Sequence, residues 1–118
     1  MTLITKIFAV LVALEFFYIM YLETFATKSK RTSKVFNLSI DELSRGTTNV
    51  LLKNQGVYNG LLAVLILLAV FAFTSKIAVV CLMFYIVGVA IYGGVTSNPK
   101  IIPMQGGLAI ITLITCLF

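Results

Sequence analysis

The chain has no histidine, no tryptophan and only four acidic residues among 118. Without histidine, haem ligation through that residue, imidazole acid–base catalysis and imidazole metal sites are excluded. There are two cysteines, Cys81 and Cys116, far apart and with no CxxC spacing, which argues against a dithiol redox enzyme. Charge of either sign is scarce. Only 11% of residues are charged, against about a quarter in a soluble domain.

What is present is apolar. Hydrophobic residues make up 60% of the chain, and its mean hydropathy is +1.08. A span needs roughly 20 mostly apolar residues. The apolar runs are continuous, without the alternation of a membrane barrel, so the expected fold is all-α. It is a polytopic membrane protein, a four-transmembrane-helix bundle with a short interfacial helix before span two. The spans are expected near residues 3–22, 50–73, 77–96 and 101–118, in one membrane domain covering 1–118. The N-terminus has a lysine, Lys6, and an apolar run, as a signal peptide would. The run continues for a full span, contains Glu15 and ends without a small-x-small site, so it is expected to be an uncleaved helix.

The one sizeable loop, expected over about residues 24–49, contains "TKSKRTSKVFNLSIDELSRGTTN". Ser39 followed three residues later by Glu42 has the spacing of a capping box, with Leu38 and Leu43 at staple positions. A helix is therefore expected from about Ile40, first at the interface and then bending near Gly46 into the span. In "SNPK", Asn98 is the expected cap and Pro99 the first-turn residue of the last helix. Lys28, Lys30, Arg31, Lys34, Arg45, Lys53 and Lys100 lie at one end of the spans, and Lys6 and Lys76 at the other. That bias places the long loop in the cytoplasm of a cell-membrane protein and both termini outside. The same cations could also meet anionic lipid. Nothing beyond charge supports nucleic-acid binding.

Polar residues interrupt the spans at few places. By helical rise, Glu15 lies roughly 12 Å from the cytoplasmic end of its span and Asn59 about 13–14 Å into the next. Gln55, Tyr92 and Gln105 each lie roughly 7–8 Å deep. Gln55 and Asn59 are four apart and share a helix face, as do Glu15 and Tyr18, and Tyr85, Gly88 and Tyr92. The expectation is a cytoplasm-facing polar pocket of Glu15, Tyr18, Gln55, Asn59, Tyr92 and Gln105 that binds a ligand or a proton. Glu23, at the end of the first run, is expected to reach water. Burial with no intramembrane cation beside it favours the neutral acid at Glu15, and an ionisable group at that depth is commonly functional. The blander reading makes Glu15 a hydrogen-bonding lock between helices. Gly56 and Gly60 form a GxxxG, read first as packing within the bundle and second as a homodimer face. Pro103, Gly106 and Gly107 are expected to loosen the start of the last helix. Cys81 and Cys116 are expected to be unpaired small hydrophobes.

"LEFFYIMYLE" (Leu14 to Glu23), "SKVFNLS" (Ser33 to Ser39), "NQGVYNG" (Asn54 to Gly60), "YGGVT" (Tyr92 to Thr96) and "MQGGLA" (Met104 to Ala109) together resemble domain-of-unknown-function family 1304, small bacterial integral membrane proteins. The resemblance covers nearly the whole chain. It implies four transmembrane helices and no particular activity. The family commonly carries a histidine after the first glutamate, where this chain has Phe16. In length, helix number and a glutamate in helix one, the chain is also similar in architecture to small multidrug exporters. The residues around Glu15 differ from theirs, and their pocket tryptophan is absent.

The leading expectation is therefore a small membrane protein that holds a small organic cation or another small molecule, with proton-coupled transport as its sharper form. The alternative is a structural or partner-binding membrane protein whose polar residues only lock the bundle. A membrane enzyme has the weakest support, since no nucleophile–base pair or metal set is present. No cofactor is implied, and the lipid bilayer is the expected surrounding partner.

Overall fold

The computed structural model describes residues 1–118 and contains helices and no strands. Helix α1, Leu3–Met20, runs directly into a π-helical turn, Tyr21–Phe25. Two short helices follow in the long loop, α2 (Lys30–Phe36) and α3 (Ile40–Ser44). Helix α4, Gly46–Leu67, also finishes in a π-helical turn, Leu68–Ala72, before α5 (Lys76–Thr96) and α6 (Ile101–Thr115). Three stretches, Leu3–Phe25, Gly46–Ala72 and Lys76–Thr96, are long and apolar enough to cross a membrane. Ile101–Thr115 is apolar but shorter, about 22 Å by helical rise against a hydrocarbon core of about 30 Å.

The helix boundaries follow local chemistry. Thr2, Ser29, Ser39 and Ser75 each accept a backbone N–H of the first turn of the helix they precede, as N-caps do. Ser39 Oγ accepts the Glu42 N–H at 3.1 Å. The reciprocal half of the capping box is not made. The Glu42 carboxylate instead accepts from Arg45 Nη1 at 3.0 Å and Thr48 Oγ1 at 2.9 Å. Those two donors hold its carboxyl below the usual range. The expected bend near Gly46 is a complete break one residue earlier, where Arg45 adopts an extended conformation and separates α3 from α4.

Helix α2 lies inside a segment expected to be loop. It ends at Asn37, whose φ of 56° is the left-handed conformation of a helix C-cap. Pro103 falls in the first turn of α6, where its missing N–H has no helical partner to lose. It therefore does not loosen the helix as expected. The N-cap of α6 is Lys100, not Asn98 as expected; Asn98 Oδ1 accepts the Lys100 N–H at 3.2 Å in the turn before it, and Pro99 also lies ahead of the helix.

In space the helices are ordered α4, α1, α6, α5. Helix α1 is central and packs on α4 and α6, and α5 packs on α6. Helices α4 and α5 are consecutive in the chain but do not pack along their length. They approach mainly through the π-helical turn at their connection. The core is a stripe of α1 (Ala9, Val12, Ala13, Phe16, Ile19) facing Leu62, Ala63 and Ile66 of α4, Met83 and Ile86 of α5, and Ala109 of α6. Its spacing of three and four residues is that of one helix face. Thr5 Oγ1 donates to Thr115 Oγ1 at 3.0 Å, which fixes α1 and α6 antiparallel.

The α1–α4 contact depends on missing side chains. A Cβ on Gly56 would collide with Thr24 Oγ1, and one on Gly60 with Met20 Sδ. The GxxxG of α4 thus packs within the chain, against the last two turns of the α1 rod. Thr24 Oγ1 also donates to the Lys53 carbonyl at 3.0 Å.

Candidate functional site: a buried carboxyl behind an open cleft

Close approach of α4 to α1 encloses a carboxyl. Glu23, in the π-helical turn, is fully buried, at 0% exposure. Gln55 Nε2 donates to its Oε2 at 2.7 Å and Asn59 Nδ2 to its Oε1 at 2.6 Å. Both oxygens act as acceptors, the capacity an ionised carboxyl has. The donors lie four residues apart on α4 and flank Gly56, so one bare turn admits the Glu23 side chain between two amides.

The expectation that Glu23 reaches water is therefore overturned. It lies near a helix end, but α4 and α2 cover that end. Thr27 Oγ1 donates to the Glu23 carbonyl at 2.6 Å. Thr32 Oγ1, fully buried, shares its one proton between the carbonyls of Leu22 at 3.0 Å and Ala26 at 2.7 Å. These hydroxyls reach carbonyls at the end of the α1 rod, where the helical ladder runs out, the Ala26 carbonyl also accepting the Ser29 N–H at 3.0 Å, and they tie the start of the basic loop to the carboxyl turn.

On the other side of the two amides lies open space. The gap left between α4 and α5 contains a cavity of about 500 Å³ whose lining includes Gln55, Tyr58, Asn59, Tyr85, Tyr92 and Gln105. Phe36 at the end of α2 and Leu38 just beyond it, together with Ser97 between α5 and α6 and Ile101 at the start of α6, line it as well. The mouth thus lies at the end of the long loop. A second cavity of about 380 Å³ shares Tyr58, Asn59, Tyr85 and Val89 with the first. It continues toward the opposite end between Leu61, Leu62 and Leu65 of α4 and Leu82 and Ile86 of α5, with Phe16 on its floor.

Four residues named from the sequence, Gln55, Asn59, Tyr92 and Gln105, therefore line one cavity. Glu15 and Tyr18 are not among its lining residues. Tyr18 is exposed and stacks on Tyr21, with ring centroids 6.5 Å apart. Glu15 is partly buried, and its Oε1 is enclosed with no hydrogen-bond partner. Measured from the Thr5–Thr115 contact, Glu15 falls at the level of Gln105 on antiparallel α6, not opposite Asn59. Equal depth does not give equal register, because the α1 rod continues to Phe25 and α4 starts at Gly46, earlier than the hydropathy edges suggest. Two residues at or behind this cavity lie outside the expected set. Glu23 could have been found from Gly56 between Gln55 and Asn59, a gap flanked by donors. Tyr58 could have been found one residue before Asn59. Cys81 and Cys116 are both free thiols, the first exposed and the second buried.

The fold defines an all-helical chain with apolar helices of membrane-spanning length and a carboxyl enclosed between two of them. The chain belongs to the family described as Protein of unknown function (DUF1304), whose model matches residues 10–117. It is 55% identical over 119 residues to "Uncharacterized protein YpaA" of Lactococcus lactis subsp. lactis (strain IL1403), with 100% of both chains covered. No solved structure matches it.

Proposed function

We propose that this chain is a four-span protein of the cell membrane that holds a small organic cation or a similar small molecule in the α4–α5 cleft, with proton-coupled transport as the sharper form of the activity. Helix α6 serves as the fourth span. The long basic loop faces the cytoplasm and both termini face outward, as the distribution of Lys and Arg favours. The supporting observation is the position of Glu23. Its carboxyl lies directly behind Gln55 and Asn59, and both of these amides also line the cleft. A cation at the cleft wall and a proton on that carboxyl are alternative ways to neutralise one buried charge, and this mutual exclusion is what coupling requires. Tyr58, Tyr85 and Tyr92 supply aromatic faces for a cation. Glu15 and Tyr18 stand outside the cleft and take the role of a second proton group and its neighbour.

A second reading has its own support. Both oxygens of Glu23 are already satisfied inside the protein, which suits a permanent lock between α1 and α4. One experiment separates the two. Binding of radiolabelled tetraphenylphosphonium to protein in nanodiscs is expected to weaken as pH falls, and to be lost in Glu23→Gln with Glu15→Gln little changed. No binding by the wild-type protein to any cation in such a screen, with Glu23→Gln altering stability alone, would leave the lock reading in place.

A further inference from the structure

The two cavities between α4 and α5 form one slot with two different ends. Along α4 the slot runs from Leu52 to Leu65, roughly 20 Å by helical rise. Its loop end is the more polar one, lined by Gln55, Asn59, Gln105 and three tyrosines among apolar residues. Its far arm is leucine, isoleucine and valine. Neither end carries a Lys or Arg.

The polar end is also biased in the sense of its hydrogen bonds. Gln55 and Asn59 each spend an N–H on Glu23. Their side-chain carbonyl oxygens make no hydrogen bond inside the chain, and both residues line the cleft. A carboxylate that accepts from an amide polarises it and makes its carbonyl a stronger acceptor. The negative character of Glu23 is in this way passed to the slot wall one side chain further out. An anionic head would meet these acceptors with no cation to balance it, whereas a head that donates and carries positive charge would be matched.

We infer that the slot takes a single-chain amphiphile with a cationic, hydrogen-bond-donating head, an alkylammonium, its head at Gln55 and Asn59 and its chain along Leu61, Leu65 and Leu82. This rests on the ligand-binding reading above and narrows its ligand class. Because α4 and α5 are unpacked along this line, the chain enters sideways from the bilayer, where its tail already resides. Selectivity therefore comes from the head. The tail contributes placement, since lipid is as apolar as the slot.

The test uses the full chain in phosphatidylcholine nanodiscs and photo-crosslinking by dodecylamine with a diazirine at its chain end, with adducts mapped by mass spectrometry. Matching dodecyl sulfate is the comparison probe, and tetraphenylphosphonium binding is measured in parallel. The expected result is adducts concentrated on Leu61, Leu65 or Leu82, displaced by plain dodecylamine, and about tenfold fewer with the sulfate, the ratio that 1.4 kcal/mol of head-group preference produces. Leu65→Trp, at a position 52% exposed, should fill the arm and remove those adducts while the helical content is retained. Equal labelling by the sulfate would overturn the cationic head. Adducts scattered over all outward faces, with tetraphenylphosphonium still bound, would overturn the amphiphile and leave the cation-binding reading standing. Scattered adducts with no tetraphenylphosphonium binding would remove both.

Discussion

The Glu23–Asn59 contact can be isolated by a double-mutant cycle with Glu23→Met and Asn59→Leu, two changes that keep side-chain size close to the original. Asn59→Leu leaves Glu23 Oε1, in a residue at 0% exposure, without its donor at 2.6 Å. A hydrogen bond to a charged group contributes about 1.5–3 kcal/mol, and the single variant should lose an amount in that range. Glu23→Met strips the acceptor from both amides. Gln55 is exposed and can turn away, whereas Asn59 is half-buried, so the penalty falls mainly on Asn59, about 1–3 kcal/mol for a group left unpaired. The double variant replaces both polar partners with apolar ones and should cost much less than the two singles added together.

Coupling between membrane helices averages about 0.6 kcal/mol and reaches about 1.7. Complete burial of Glu23 places the expectation at the upper end of that range. Stability would be read from sodium dodecyl sulfate titrations in mixed micelles, followed by circular dichroism. Glu15→Met crossed with Asn59→Leu is the control, because no hydrogen bond joins Glu15 to Asn59, and those changes should add within about 0.5 kcal/mol. If the Glu23 cycle is additive within the same margin, or if the Glu15 cycle couples in its place, the register of α4 on α1 described above is refuted.

Other outcomes are expected for the glycines, for Thr32 and for Glu15. Gly56→Ala should destabilise by about 1–3 kcal/mol through overpacking, because it meets Thr24 Oγ1. Gly60→Ala should cost less, because the flexible Met20 thioether can move. Gly88→Ala, which meets nothing, should gain about 0.5–1 kcal/mol of helix propensity. The same detergent titration checks all three. Thr32→Val should cost about 1–3 kcal/mol, since the Leu22 carbonyl loses a buried donor while the Ala26 carbonyl keeps the Ser29 N–H. Faster hydrogen exchange in α2 should accompany that loss, and unchanged exchange there would contradict it. Glu15→Met should be neutral or stabilising by about 1 kcal/mol, because it removes an enclosed oxygen that has no partner. Clear destabilisation in the unfolding titration would mean that Glu15 has a partner in the bilayer.

Much of the architecture was legible from composition and spacing. Continuous apolar runs dictated helices, and the Ser39 spacing marked the start of α3 within one residue. The spacing of Gln55 and Asn59 put both on one helix face, and they do act together. What misled was depth. Counting from the edges of hydropathy set Asn59 beside Glu15, whereas the glycines bring it to Glu23. Hydropathy also treats Glu23 as the polar end of a run, because it cannot register the α4 turn and the α2 threonines that cover it. Helix α2 was hidden because its basic, polar sequence carries no periodic apolar stripe, only the Ser29 cap and a left-handed Asn37.

By itself, then, the sequence determined that the chain is helical and apolar, where most helices begin, and which side chains share a face. Those properties are set within one helix by caps, periodicity and the cost of exposing backbone to lipid. Only the tertiary structure decided which carboxyl is enclosed and that α4 and α5 stand apart to leave a slot. Both depend on how far one helix slides along another. That is governed by side-chain clashes at Gly56 and Gly60 and by the π-helical turn that carries Glu23, contacts that exist only once the helices meet.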